Sequence, residues 1–239
     1  FFAQFRSSAH RLRHAAVNWA FALANGILTA MLFAVLWRAS ADWAAAARFG
    51  LLNVAGLGPV QHCVASLLLL DAWTYSWHRI CHRVPLLWRF HQMHHSDPAM
   101  DVTTANRFHL VEILVSSVLR LAIVPLAGVR FEHLVIYETL LQVVVQWQHA
   151  NVGIGHLGER LVSLVFVTPG LHKVHHSRYQ PETDSNYSSL LSVWDRLFGS
   201  YRVRDDPEAI RFGLEGHDAP GEQNLRGLMT SPFRRDAQD

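Results

Sequence analysis

From Ala15 to Trp37 the chain carries no charged side chain, and at about 1.5 Å per residue such a run crosses a hydrocarbon core of about 30 Å as a helix. A second apolar run begins at Leu51, or more narrowly at Pro59, and ends at Trp77 with Asp71 as its one charge. A third, Val111 to Val129, is interrupted by Arg120 and Pro125, and a fourth, Phe131 to Trp147, by Glu132 and Glu138. The short turn at Gly128 to Arg130 makes the last two a helical hairpin whose polar residues face protein or the interface.

Between and after these runs the pattern changes. Pro85 ends the helix after His82, a new helix carries Leu86 to Ser96, and Asp97 to Asn106 is polar and loop-like. Leu157 to Val167 reads as an amphipathic helix lying along the interface, and Thr168, Pro169 and Gly170 reset the backbone beyond it. Residues 201–239 turn charged, as a cap and tail outside the membrane. The expectation is an all-α integral membrane protein with about four transmembrane helices and a cytoplasmic, histidine-rich helical cap. Its organisation is a basic segment and first span over 1–58, a main domain over 59–205 and a polar tail over 206–239.

Orientation follows from arginine placement. Arg6, Arg11, Arg13, Arg79, Arg83, Arg89, Arg160, Lys173, Arg178 and Arg196 fall on one side of four crossings, against Arg38, Arg48 and Arg130 on the other. That side is cytoplasmic by the positive-inside rule. Half the residues are hydrophobic and the formal net charge is only +2, which leaves no electrostatic case for nucleic acid. Phe1 stands where a Met would begin a chain, consistent with a trimmed amino terminus, and no cleavable signal is evident. Cys63 and Cys81 form no CxxC, so neither a disulfide framework nor an iron–sulfur cluster is expected. Trp73, Trp77, Trp88 and Trp147 read as interface anchors.

Histidine carries the chemistry. His78 and His82 stand at i and i+4, and His91, His94 and His95 at i, i+3 and i+4; HKVHH repeats the longer pattern as His172, His175 and His176. On helices these spacings bring imidazoles to a common face. Three such registers far exceed what satisfied core histidines need and point to metal. One ion takes three or four protein ligands, so two are implied, with His149 in WQHAN a ninth ligand. Neutral nitrogen ligands suit iron, zinc and copper alike. The setting, a ring of His at the mouth of a membrane bundle without HExxH, fits oxygen chemistry on a lipid better than hydrolysis.

Asp71 shares a helix face with His78 and His82 and is expected to reach a histidine ring from behind, the alternative being a bond to a neighbouring helix. His109 and His156 are possible additional ligands, each weighed against a role as hydrogen-bond partner or channel residue. Gly153, Gly155 and Gly158 spell GxGxxG, but the preceding run is a membrane helix rather than a strand, so dinucleotide binding is not expected.

The runs LLLLDAWTYSWHRICHRVPLLWRFHQMHHSD, TTANRFHLVE, WQHANVG, TPGLHKVHHS and DSNYSSLLSVWDRLFGSY resemble, in order and over about residues 60–205, the fatty acid hydroxylase and sterol desaturase superfamily of membrane non-haem di-iron enzymes. The resemblance implies two iron ions with dioxygen as co-substrate, zinc being able to replace iron on purification, a lipid substrate and a separate electron-donor protein. Carried over by position, His78, His82, His91, His94, His95, His149, His172, His175 and His176 would be the ligands. Asp71, Glu112, Asn151, Asp184 and Asn186 would then support the rings. The last motif is also similar to that of the alkylglycerol monooxygenase group, but Arg83 follows His82 where that group has Glu. Two other classes stay open: a zinc-dependent membrane hydrolase, for which Glu112 is the tempting base, and a metal-binding transporter or sensor without turnover.

Overall fold

A computed structural model describes residues 7–234. The start of the basic approach, with Arg6, and the last residues of the tail lie outside the described residues. Those described fold as helices joined by short loops, and β pairing among them is limited to two isolated bridges, Phe166 with Leu191 and Ser177 with Phe212.

The first apolar run does not form one rod. Helix α1, Ser8–Leu32, starts where the Ser7 side chain accepts from His10 N, breaks at Phe33 and continues as α2, Ala34–Ala46. No Gly or Pro marks this break; packing does. Phe33 stacks on Trp37, whose indole N–H donates to Ser117 O at 3.0 Å. A single turn, α3, Leu51–Val54, precedes α4, Pro59–Arg83, so Pro59 rather than Leu51 opens the second run. Its helix passes Trp77 without interruption and carries His78 and His82 on its last turns.

After Pro85 at its first position, α5 covers Pro85–His95. The hairpin follows as α6, Leu110–Ala127, and α7, Phe131–His149. Two glycines close the end of the bundle remote from the nine clustered histidines. Gly50 and Gly128 both have positive φ, and a Cβ on Gly50 would sit 2.2 Å from Pro125 O, so only glycine lets these turns touch. Phe33, Trp37, Leu52, Leu70, Val124, Leu134 and Tyr137 form the core there.

By length and apolarity α1 and α6 can each cross a membrane, and the pair Ala34–Val54 with Pro59–Arg83, bent by 81°, adds a third at most. The expected fourth span, α7, falls short because Glu132, His133, Glu138, Gln142 and Gln146 dilute it. Apolar residues point outward: Leu23, Met31, Val35 and Val143 are exposed, while Asn18, Ser66 and Ser117 are buried. This inversion suits a lipid environment.

The cap is built from short pieces: α8, Gly155–Val162; α9, Pro169–His175; α10, Gln180–Thr183; α11, Val193–Leu197; and α12, Leu225–Thr230. The amphipathic run expected over Leu157 to Val167 thus shortens, since residues 164–167 turn away to pair with the 190–192 segment. Beneath the cap Asp97 accepts from His14 Nε2 (2.7 Å) and Thr104 Oγ1 (2.6 Å) and faces Arg107 Nη1 at 3.5 Å. Burial alone would raise its carboxyl, but Arg107, His14 and Thr104 outweigh that and hold it well below the usual carboxylate range. Arg107 in turn reaches Met93 O, Ser96 and Gln223. The 206–234 segment therefore packs back onto α5, with Leu228 against Met93 and Phe21.

Candidate metal centre

Each HxxHH splits, and the reason is angular. At 100° per residue, i and i+4 lie about 40° apart on a helix whereas i+3 lies on the other side of i. On α5 His91 and His95 turn to one centre and His94 to another; on α9 and its cap His172 and His176 share a centre and His175 goes to the other. The expectation that His91, His94 and His95 meet at one point is corrected accordingly. The first group is His78, His82, His91, His95 and His175; the second is His94, His149, His172 and His176. Within each, the ligand atoms lie within 4.8 Å of one another. The groups share a wall, with the His95 and His176 rings stacked at 4.4 Å.

Hydrogen bonds fix which nitrogen each ring turns inward. Tyr187 O accepts from His78 Nδ1 (2.8 Å), Ser185 O from His175 Nδ1 (2.7 Å) and Val145 O from His149 Nδ1 (2.7 Å). A carbonyl only accepts, so in these three rings Nδ1 holds the proton and Nε2 presents a lone pair. His78 Nε2 and His175 Nε2 nonetheless stand 3.0 Å apart, and His149 Nε2 lies 3.3 and 3.2 Å from His94 Nε2 and His172 Nε2.

Protonation does not relieve this. Burial, followed by neighbouring rings, holds His94, His95, His172 and His176 well below 6.5, and burial pushes His175 down to about 3. Converging lone pairs on neutral buried rings fit a cation between them: two nitrogens on one ion at about 2.0–2.1 Å lie roughly 3.0–3.4 Å apart. His94 Nδ1 and His172 Nδ1, on the ring edge opposite the converging Nε2, are buried without a partner, and so are His91 Nε2, His176 Nε2 and both nitrogens of His82 and His95, of which one per ring can face a centre. Such orphans are costly unless something unseen binds them. The residues present fit two metal ions.

The expected supporting residues divide. Glu112 Oε1 stands 2.8 Å from His91 Nδ1, which leaves Nε2 for the centre; the nearby Cys81, buried and free, adds packing to that pair. Asp184 Oδ1 is 3.5 Å from His82 Nδ1, within ion-pair reach but outside hydrogen-bond geometry. Asp71 touches no histidine. Its carboxylate accepts from Tyr137 Oη, Leu190 N, Leu191 N and Trp194 Nε1, so it clamps the 187–195 loop whose Tyr187 O orients His78. Asn151 donates to Met100 O, and Asn186 ties Leu171 to Arg202; both brace loops rather than rings.

Neither extra histidine joins the groups. His109 caps α6, its Nδ1 accepting from Val111 N at 3.1 Å, and His156 is exposed at the start of α8. Sequence reasoning also missed Asp195, whose carboxylate accepts from Tyr187 N, Ser188 N and Ser200 Oγ. The available signal was weak: Asp195 stands in SVWDRLFGS, where the adjacent Arg196 makes it look like an ordinary surface charge.

A cavity of about 740 Å³ runs from His78, His91, His94, His149 and His172 into the bundle between α1, α2, α6 and α7. Its wall is mostly apolar.

Residues 63–200 match the family model described as fatty acid hydroxylase. The chain is 30% identical over 172 residues to ornithine lipid hydroxylase OlsE of Rhizobium tropici, covering 72% of this chain and 50% of that protein. It is 32% identical over 155 residues to alkylglycerol monooxygenase of Homo sapiens, 63% of this chain and 32% of that one, and 26% identical over 157 residues to cholesterol 25-hydroxylase of Mus musculus, 63% and 50%. The chain thus spans half or less of the length of these curated relatives. No solved structure matches it.

Proposed function

The chain belongs to the fatty acid hydroxylase family, and on that premise we propose that it is a membrane-bound non-haem di-iron oxygenase that hydroxylates a lipid C–H bond. The observation that carries the reading is the pairing of two adjacent histidine groups, five rings and four, beside an apolar cavity lined by His78, His91, His94, His149 and His172. The relatives named above as hydroxylases and monooxygenases support insertion of oxygen rather than desaturation.

His78, His82, His91, His95 and His175 would hold one iron, and His94, His149, His172 and His176 the other. When bound, the iron pair supplies dioxygen activation and C–H oxidation, consuming dioxygen, two electrons and two protons to give an alcohol and water. The chain's own residues do the rest. Glu112 and the carbonyls of Val145, Ser185 and Tyr187 hold the rings in one tautomer and one orientation. The apolar wall admits a lipid chain and excludes bulk water from the histidines. Electrons come from a separate donor protein.

The bundle crosses the membrane four times in this reading, with α7 as the fourth span, its Val135, Ile136, Leu140 and Val143 exposed, and the histidines on the cytoplasmic side. The arginine distribution supports that orientation. A zinc hydrolase is the weaker reading because its one candidate base, Glu112, is engaged by His91 on the ring edge opposite Nε2.

Lipid extracts from cells making the active chain, grown under heavy-isotope dioxygen, test this. A new hydroxylated lipid carrying the label, and absent with His94→Ala, is the expected result; hydrolysis products with no label and no oxygen uptake contradict it.

A further inference from the structure

The cavity does not stay apolar along its length. Arg120 follows Glu112 by eight residues on α6, roughly 12 Å further along the helix, and faces Glu138 of α7 with Nη1 and Oε1 3.0 Å apart. Both side chains line the cavity from helices otherwise rich in Leu, Val and Ile. Ionisable groups so placed are costly and mark ligand pathways.

The pair is incompletely satisfied. Arg120 Nε is buried without a hydrogen-bond partner, and Glu138 Oε1, though ion-paired with Arg120 Nη1, does not meet hydrogen-bond geometry with it, so the two groups do not form the parallel fork by which Arg and carboxylate satisfy one another. The guanidinium instead lies over the face of Trp37, 5.1 Å from the ring centroid. Trp37 is itself fixed by its bond to Ser117 O. The cavity wall therefore offers a spare donor beside a carboxylate that is ion-paired but not fully hydrogen-bonded, the pair carrying no net charge.

That combination selects a ligand chemistry. An anion drawn to Arg120 would meet Glu138 at the same range, and a cation the reverse. An uncharged group with both a donor and an acceptor satisfies both, and is far less costly to carry into the middle of an apolar bundle than an ion. We propose that Arg120 and Glu138 form the subsite for an uncharged hydroxyl or secondary amide of the lipid, and that its offset from the histidines sets which carbon is presented to them. The inference rests on the lipid-oxygenase reading for its substrate class.

Tryptophan fluorescence tests it, because Trp37, Trp73 and Trp77 line the cavity and a bound bromoalkyl chain quenches them. The full chain in detergent is titrated with ω-bromododecanol, ω-bromododecanoate and bromododecane at matched probe per micelle. The alcohol is expected to bind at least about tenfold tighter than the other two, and Arg120→Met with Glu138→Met to erase the difference. Glu138→Gln, which keeps size and an acceptor, retains the preference for the alcohol over bromododecane and gains affinity for the carboxylate. The proposal is overturned if wild type ranks the carboxylate first or the three probes equal, or if the double variant keeps the preference. Should that variant not fold, wild type and Glu138→Gln decide the matter. Binding needs neither iron nor turnover, so failure of the subsite and failure of the oxygenase reading are separate outcomes.

Discussion

The two histidine groups are built to different standards. In the five-ring group, His78, His91 and His175 are each fixed at Nδ1 by a carbonyl or carboxylate, and Asp184 stands close to His82. In the four-ring group only His149 is so fixed, while His94 and His172 leave Nδ1 buried and unpartnered. Rings already oriented lose little freedom when an ion binds; rings oriented by the ion itself lose more. The five-ring centre should therefore fill first and empty last.

Removing a ligand gives the largest expected effects. His175→Ala, which opens the better-ordered group beside the shared wall, should abolish activity and both metal ions. His94→Ala should abolish activity while the five-ring centre keeps its ion. Metal analysis of the purified variants checks this, and equal loss in both would erase the distinction between the groups. Next comes Glu112→Ala, expected to weaken metal at the five-ring centre about 10- to 100-fold, measured by chelator competition, with the other centre unmoved.

Asp71→Asn separates a clamp from a ring support. Its four donors all come from other elements, so the variant should lose about 2 kcal/mol of stability while retaining its metal once folded; thermal melts with metal analysis decide. Metal loss without destabilisation would return Asp71 to the rings. The smallest effect is expected of His156→Ala, exposed on α8, which should leave metal content and turnover unchanged.

Eight of the nine converging rings were legible from spacing, because i, i+3 and i+4 on a helix constrain where side chains point whatever the tertiary fold; His149, alone in its motif, was legible only from its place at the end of the fourth apolar run. How they divide was legible in principle from the 100° step but needed the axes of α5 and α9 to be fixed against each other. The partners of Asp71 were not legible: Tyr137, Leu190, Leu191 and Trp194 are distant in sequence, and local helical geometry pointed to His78 instead. Backbone carbonyls that orient His78, His149 and His175 leave no side-chain signature at all. Apolar runs located the bundle helices well, yet gave no hint of the break at Phe33, which packing of Trp37 against α6 imposes. His109 shows the converse, a metal-type residue used as a helix cap.

The most direct measurement is iron per chain after anaerobic reconstitution with ferrous iron and removal of the excess. The account predicts about two, filling in two resolvable steps, with both lost in His175→Ala and only the second in His94→Ala. Saturation at one ion, or none, with all nine histidines in place would contradict it.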